Sequence, residues 1–359
     1  MSFSDNHHGG LDAAELRRLG LDPADVIDFS VNSNPFGSPP AVLAALGALD
    51  VALYPDRDCL QLRESLAELN AVAAENVLAG NGSAQLIWLA AQALLRTGQR
   101  AVVAGPTFGE YRRAAEALGV QVLAVDAERP HYRIDLEEIS RAAVSSGARA
   151  VFLCNPNNPS GQCLPDTAIT AFERYLPADC WLVLDEAYRA FVPGIDFPHT
   201  CGVRTLLLRS MTKDFALAGL RLGYALGPAQ LIERMSAFQP TWSVSAPAQA
   251  AGLEALAELT YYKDSWQRLH TVKTELFAGL ENLGCEVLPS DVHFSLLRAP
   301  GGGAQLRARL LDRGLQVRDC ASFGLSEYVR ISARLPQHNR ALLRTLAELR
   351  AEGLMEENQ

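Results

Sequence analysis

The sequence predicts an α/β fold: a large unit on a mostly parallel seven-stranded sheet, a smaller α/β unit after it and an arm before it. Three observations carry the prediction. Between residues 76 and 225, seven short apolar runs are interspersed with segments of helical spacing, as parallel strands joined by crossover helices require. The runs are apolar at consecutive positions, as in Leu206-Leu207-Leu208, which marks strands covered on both faces. After about Pro240 the pattern changes to long helices and then to a short strand–helix–strand unit, so the chain divides as 1–40, 41–245 and 246–359.

Residues 1–40 read as an irregular arm with Gly9-Gly10, an amphipathic piece over 12–19, and the run from Asp28 to Gly37. Within that run, Asn32-Ser33-Asn34-Pro35 is expected to turn, because proline removes a donor and restricts the residue before it. Helical spacing covers 41–49 and 60–70, with Tyr54-Pro55-Asp56 between. A strand over 76–79 enters the turn Gly80-Asn81-Gly82-Ser83, and a helix follows over 84–95. A glycine turn opening a helix leaves free N–H groups at the positive end of its dipole, which suits an anion. The centre reads strand 101–104, helix 109–118, strand 121–125, helix 135–144, strand 150–153, helix 166–175, then strands 180–184, 205–208 and 221–225. Long helices are expected over 245–259 and 262–283. The last unit reads strand 292–297, helix 305–313, strands 315–318 and 328–331, and helix 336–351, with Pro300-Gly301-Gly302-Gly303 as a loop inside it.

Composition narrows the function. A chain of 359 residues with 48% hydrophobic and 20% charged residues is an ordinary globular protein with a large core. A net charge of -9 with no basic stripe argues against nucleic acid, no apolar run is long enough to span a membrane, and the polar N-terminus shows no secretory signal. Seven scattered cysteines without paired spacing read as reduced thiols of a cytoplasmic protein. His7-His8 has no second ligand cluster, so no metal is expected.

Ligands of open parallel sheets bind beyond the carboxyl ends of the strands, and three predicted strand ends carry polar groups. They are Asn155 to Gly161, Asp185-Glu186-Ala187-Tyr188, and Ser210-Met211-Thr212-Lys213, the last followed closely by Arg221. A lysine attacks carbonyls only where its surroundings lower its pKa, as partial burial and a cation such as Arg221 would do. Taken singly, each stretch is ambiguous: Ser-x-x-Lys occurs by chance, and the alternative for Asp185 is a helix cap after a strand.

Together with Leu78 to Gln85, the order and spacing of these stretches resemble the fold-type I pyridoxal phosphate enzymes of the class I/II aminotransferase family, over nearly the whole chain. The resemblance implies pyridoxal 5'-phosphate as cofactor, with Lys213 holding it covalently and acting as proton donor. It gives Asp185 the ring nitrogen, Asn158 and Tyr188 the ring's phenolic oxygen, and Phe108 the ring face. Gly82, Ser83, Ala84, Ser210, Thr212 and Arg221 are implied as phosphate ligands, and Tyr54 as one reaching a partner subunit's phosphate, hence a homodimer. Arg330, in Tyr328-Val329-Arg330-Ile331-Ser332, matches the arginine that grips a substrate carboxylate.

The arm, and Arg330 followed by Arg334, resemble the threonine-phosphate decarboxylase branch, which makes aminopropanol phosphate for cobalamin; His8, Asn32 and Arg334 are then candidate substrate anchors. The alternatives are an aminotransferase of the histidinol-phosphate type, elimination or cyclisation at the β or γ carbon, and a non-catalytic regulator. Leu11 and the second histidine, His7, depart from the decarboxylase pattern; Gln85 departs from the histidinol-phosphate pattern, where an acid is common.

Overall fold

The structure, a computed structural model, describes residues 9–195, 197–198 and 202–354. In chain order the helices and strands up to the first sheet strand are α1 (Ala13–Leu19), β1 (Ile27–Asp28), α2 (Pro40–Gly47), α3 (Leu60–Asn70) and β2 (Val77–Asn81). The alternating centre is α4 (Gly82–Leu94), β3 (Arg100–Gly105), α5 (Glu110–Glu116), β4 (Gln121–Asp126), α6 (Leu136–Ser146), β5 (Ala150–Cys154), α7 (Asp166–Glu173), β6 (Trp181–Asp185), β7 (Thr205–Arg209) and β8 (Leu222–Leu226). The remainder is α8 (Ala229–Ser236), α9 (Ala246–Ala257), α10 (Leu259–Asn282), β9 (Phe294–Arg298), α11 (Gly303–Leu311), β10 (Leu315–Gln316), β11 (Arg318–Asp319), β12 (Tyr328–Ser332) and α12 (Pro336–Ala351).

The expected mostly parallel sheet of seven strands is present, in the order β2-β8-β7-β6-β5-β3-β4, with β8 antiparallel to both its neighbours. β5, β7 and β8 are buried along their whole length and β6 at every residue but Trp181, so both faces are covered, and one apolar cluster lies on each side. Parallel register sets Cys154 beside Asp185 and Asp185 beside Leu208, which brings the C-terminal ends of β5, β6 and β7 to one edge.

Several expectations are corrected. The turn over Gly80–Ser83 is absent as a separate element, because β2 runs to Asn81 and α4 starts at Gly82, the change of direction being shared by Asn81 (ψ 69) and Gly82 (φ +74). The strand expected to start at Arg221 starts one residue later, since Arg221 itself is left-handed (φ 58). The strand expected over 315–318 is two strands with different partners: β10 pairs in parallel with β1 of the arm, and β11 pairs antiparallel with β12, placing Arg318 opposite Arg330. The arm is therefore not wholly irregular. Asp12 caps α1 by accepting from the N–H groups of Ala14 and Glu15, and β1 fastens the arm to the C-terminal unit. α8 was not anticipated.

Among the described residues no helix is long and apolar enough to cross a membrane, no group of His, Cys, Asp and Glu could hold a metal, and the six cysteines are free. Cys201 lies outside those residues.

Candidate active site

A cavity of about 480 Å³ opens at the C-terminal edge of the sheet. Of the residues singled out from the sequence, Asn32, Ser83, Ala84, Phe108, Asn158, Asp185, Tyr188, Thr212, Lys213, Arg221 and Arg330 line it. Gly82 lies beside Arg221: a Cβ placed there would lie 2.8 Å from the guanidinium, which would have to shift, and the φ of +74 independently favours glycine.

The floor is set by strand ends. Asp185, the last residue of β6, is buried and accepts hydrogen bonds from the Tyr111 hydroxyl (2.7 Å) and the Ala187 backbone N–H (2.9 Å). Burial nonetheless pushes its carboxyl up to about 6, with the Tyr111 bond, the Ala187 bond and Lys213 pulling the other way. Such a carboxylate is completed by a cation above it. β7 delivers Ser210 to Lys213, and the Lys213 N–H closes a turn on the Ser210 carbonyl (3.2 Å). The Lys213 amine is pushed down to about 8, first by burial, then by Arg330 and Arg221. This is the depression that the sequence reading asked of the surroundings, with Arg330 added to Arg221.

Phe108 and Asn158 are placed by a lock between loops. Thr107 donates to the Asn157 side chain (2.9 Å), whose amide donates to the Pro106 carbonyl (3.0 Å) and to Ser160 (3.0 Å). The roof comes from the arm and β12. Arg330 is buried, donates to the Asn158 side chain and to the Ser30 carbonyl (2.5 Å), and lies 5.4 Å from the centre of the Phe294 ring. Asn32 is buried and donates to the Tyr188 hydroxyl (3.4 Å).

Besides Gly82, three of the expected residues that the structure describes are not in the lining. Ser210 is buried beneath it, its hydroxyl 2.5 Å from that of Thr212. Arg334 turns to the Ser33 carbonyl (3.3 Å). Tyr54 is 80% exposed, with its ring 4.7 Å from that of Trp242. His8 lies outside the described residues.

Sequence reasoning missed Tyr111 and Arg318, both in the lining. Tyr111 was signalled only by standing three residues after Phe108, and Arg318 only by its place in a strand preceding that of Arg330. Arg318 is buried, donates to the Ser322 hydroxyl (2.7 Å) and is pushed down to about 10, first by burial and then by Arg330. Two guanidiniums side by side in a cavity favour a ligand with more than one negative charge.

Residues 24–349 match the sequence profile of the family aminotransferase class I and II. A histidinol-phosphate aminotransferase of Symbiobacterium thermophilum is 34% identical over 347 residues, 94% of this chain and 93% of that one. The crystal structure of L-threonine-O-3-phosphate decarboxylase from Porphyromonas gingivalis has a TM-score of 0.79 and 27% identity, covering 90% of this chain and 99% of that one. The histidinol-phosphate aminotransferase of Sinorhizobium meliloti, solved in complex with pyridoxal-5'-phosphate, shares the fold with a TM-score of 0.87 and 24% identity over 94% of each chain.

Proposed function

Because the chain belongs to the aminotransferase class I and II family, we propose that its cavity holds pyridoxal 5'-phosphate and that it transfers the amino group of a phosphate-bearing amine of the histidinol-phosphate type. The observation that carries this is Lys213: an amine depressed to about 8, in a cavity with a buried carboxylate at one strand end and a buried arginine pair. The residues fit the cofactor. Asp185 is a buried carboxylate that calls for a protonated nitrogen, and the Gly82–Arg221 gap is a cradle a side chain would fill. When bound, the cofactor supplies an electron sink for the pair released at the substrate's α-carbon.

The chain's own residues do the rest. Lys213 would hold the cofactor by its aldehyde carbon, and its amine would be the group that moves a proton at the substrate's α-carbon. Asp185 would keep the ring nitrogen protonated, Phe108 would cover the ring, and Asn158 and Tyr188 would serve its phenolic oxygen. The N–H groups at the start of α4 (Gly82, Ser83, Ala84), the hydroxyls of Ser210 and Thr212, and Arg221 take the phosphate. Arg330 would grip the substrate's anionic group by two prongs, with Arg318, its partner across β11 and β12, and Asn32 in the same lining. His8 and Arg334 remain proposed anchors from the arm and the C-terminal unit. Tyr54, exposed on one chain, is proposed to complete the phosphate site of a second, so the working unit is a cytoplasmic homodimer. The division at residues 40 and 245 is kept as a proposal.

The sequence expectation put loss of carbon dioxide first. Histidinol-phosphate aminotransferases such as the Symbiobacterium protein, above 30% identity across more than nine-tenths of the chain, move amine transfer ahead of it. Decarboxylation of threonine phosphate stands second, favoured by the arm and by the Porphyromonas likeness. Incubation with pyridoxal phosphate and histidinol phosphate should yield glutamate from 2-oxoglutarate. Carbon dioxide from threonine phosphate with no amine acceptor present would promote the second reading, and a protein that stays colourless with the cofactor would end both.

A further inference from the structure

His293 precedes β9 and takes no part in the reading above. Its ring is 2% exposed, tilted against Phe191 at 4.1 Å between centres and edge-on to Phe294 at 5.5 Å. Its Nε2 lies 3.1 Å from the backbone carbonyl of Asn32. A carbonyl only accepts, so the proton must sit on Nε2 and Nδ1 is left as a lone pair, with no partner in the structure.

Asn32 is held at that carbonyl, and its side-chain amide donates to the Tyr188 hydroxyl. The other end of the turn is fixed separately: the Asn34 N–H donates to the Lys213 carbonyl (2.8 Å), and its amide donates to Ser265 (2.7 Å). The Asn32–Tyr188 bond is long at 3.4 Å, so a shift of a few tenths of an ångström would break it. A hydroxyl that accepts from an amide directs its own proton elsewhere.

We propose that His293 is a positioning residue: its neutral ring braces the Asn32 carbonyl, sets the Asn32 amide on Tyr188, and so aims the Tyr188 proton into the cavity. The ring is suited to this because it fills an apolar slot and offers one donor. Charging it is opposed by burial and by the cations that face it, Arg334, Arg330 and Lys213, which hold it down to about 3. The brace therefore does not switch with pH in the physiological range.

The proposal rests on the reading of the cavity as a cofactor site, and the experiment keeps the two apart. A donor on the cofactor's ring oxygen makes that oxygen a poorer proton sink, so losing it moves the pH midpoint of the visible absorption upward. With pyridoxal phosphate added to the full chain, Tyr188→Phe should raise the midpoint, and His293→Phe should raise it by a smaller amount, about half a unit or more. The double variant should match Tyr188→Phe alone, and His293→Gln, whose amide nitrogen reaches the Nε2 position, should recover at least half of the shift. No shift in a folded His293→Phe protein, or additive shifts in the double variant, would overturn the brace. Independently of colour, NMR of histidine-labelled wild type should show His293 protonated on Nε2 and not titrating between about pH 5.5 and 8. An ordinary titration there sinks the proposal even if His293→Phe fails to fold. A colourless wild type with the expected His293 signal sinks the cofactor reading instead.

Discussion

Asp185 and Lys213 reach the cavity from the ends of adjacent parallel strands, whereas Arg330 meets the Ser30 carbonyl across 300 positions of chain. The floor is built by backbone register. Once β6 and β7 pair, Asp185 must lie beside Leu208, and the turn after β7 then brings Lys213 back over it. The roof is built by docking. β1 pairs with β10 and Glu15 meets Arg307, and these contacts hold the arm that carries Ser30 and Asn32 to the cavity. Rigid register suits the chemistry, which needs an amine and a carboxylate at fixed separation, while a docked arm suits recognition of a substrate that must enter and leave.

The largest test of that contrast is Lys213→Ala. It should remove the visible absorption and lower turnover by at least roughly 10²- to 10⁴-fold, while far-UV circular dichroism stays as in wild type. The pH dependence belongs to the floor as well. Because the neutral amine is the nucleophile and Lys213 is pushed down to about 8, capture of pyridoxal phosphate should speed up as pH rises through about 8 and then level off. Asp185 sits at about 6 and loses its charge below that value, so cofactor affinity should fall as pH falls through 6. Capture rates that stay flat from about pH 6.5 to 9 would contradict the assignment of Lys213.

The same contrast explains what could be read from the chain. Strands apolar at consecutive positions and ending in Asp185 or Ser210-Met211-Thr212-Lys213 are local patterns, and the seven-stranded sheet they predict is the one found. Gly82 was legible as a turn residue, yet not as the residue that opens α4 with a φ of +74 and with Arg221 close by, because Arg221 is brought there by β8 pairing with β2, far along the chain. The roof was legible only through resemblance. Nothing near Arg318 in sequence marks it as facing the cavity; that follows from β11 pairing with β12 after the chain breaks register at Val317. Tyr111 escaped for a similar reason, since its partner Asp185 is 74 residues away.

Substitutions in the roof should separate binding from colour. Arg330→Gln removes a buried cation that holds both Asn158 and the arm, and a charge-assisted pair is worth about 1.5–3 kcal/mol, so KM should rise roughly 10- to 100-fold. Arg318→Gln, already paired with Ser322, should raise KM less, by about 5- to 10-fold. Both proteins should keep the visible absorption. Loss of colour in Arg330→Gln would mean that roof and floor are one unit through Asn158.

The smallest effect is expected farthest from the chemistry, at Glu15→Gln. Glu15 accepts from both terminal nitrogens of Arg307, one at 2.9 Å, and ties α1 to α11. The pair is partly exposed, so its contribution is about 0.5–1 kcal/mol, and glutamine keeps one acceptor. KM should rise no more than about twofold, kcat should hold, and added salt should mimic the substitution in wild type. Arg307 keeps the Glu15 carboxyl below its ordinary 4.5, so the contribution is present above that pH and is lost as pH falls through the lowered value. If Glu15→Gln instead raised KM more than Arg318→Gln does, docking of the arm would be governed by this ion pair rather than by the β1–β10 ladder and the Ser30–Arg330 contact, and the roof would have to be treated as a hinged cover rather than a docked one.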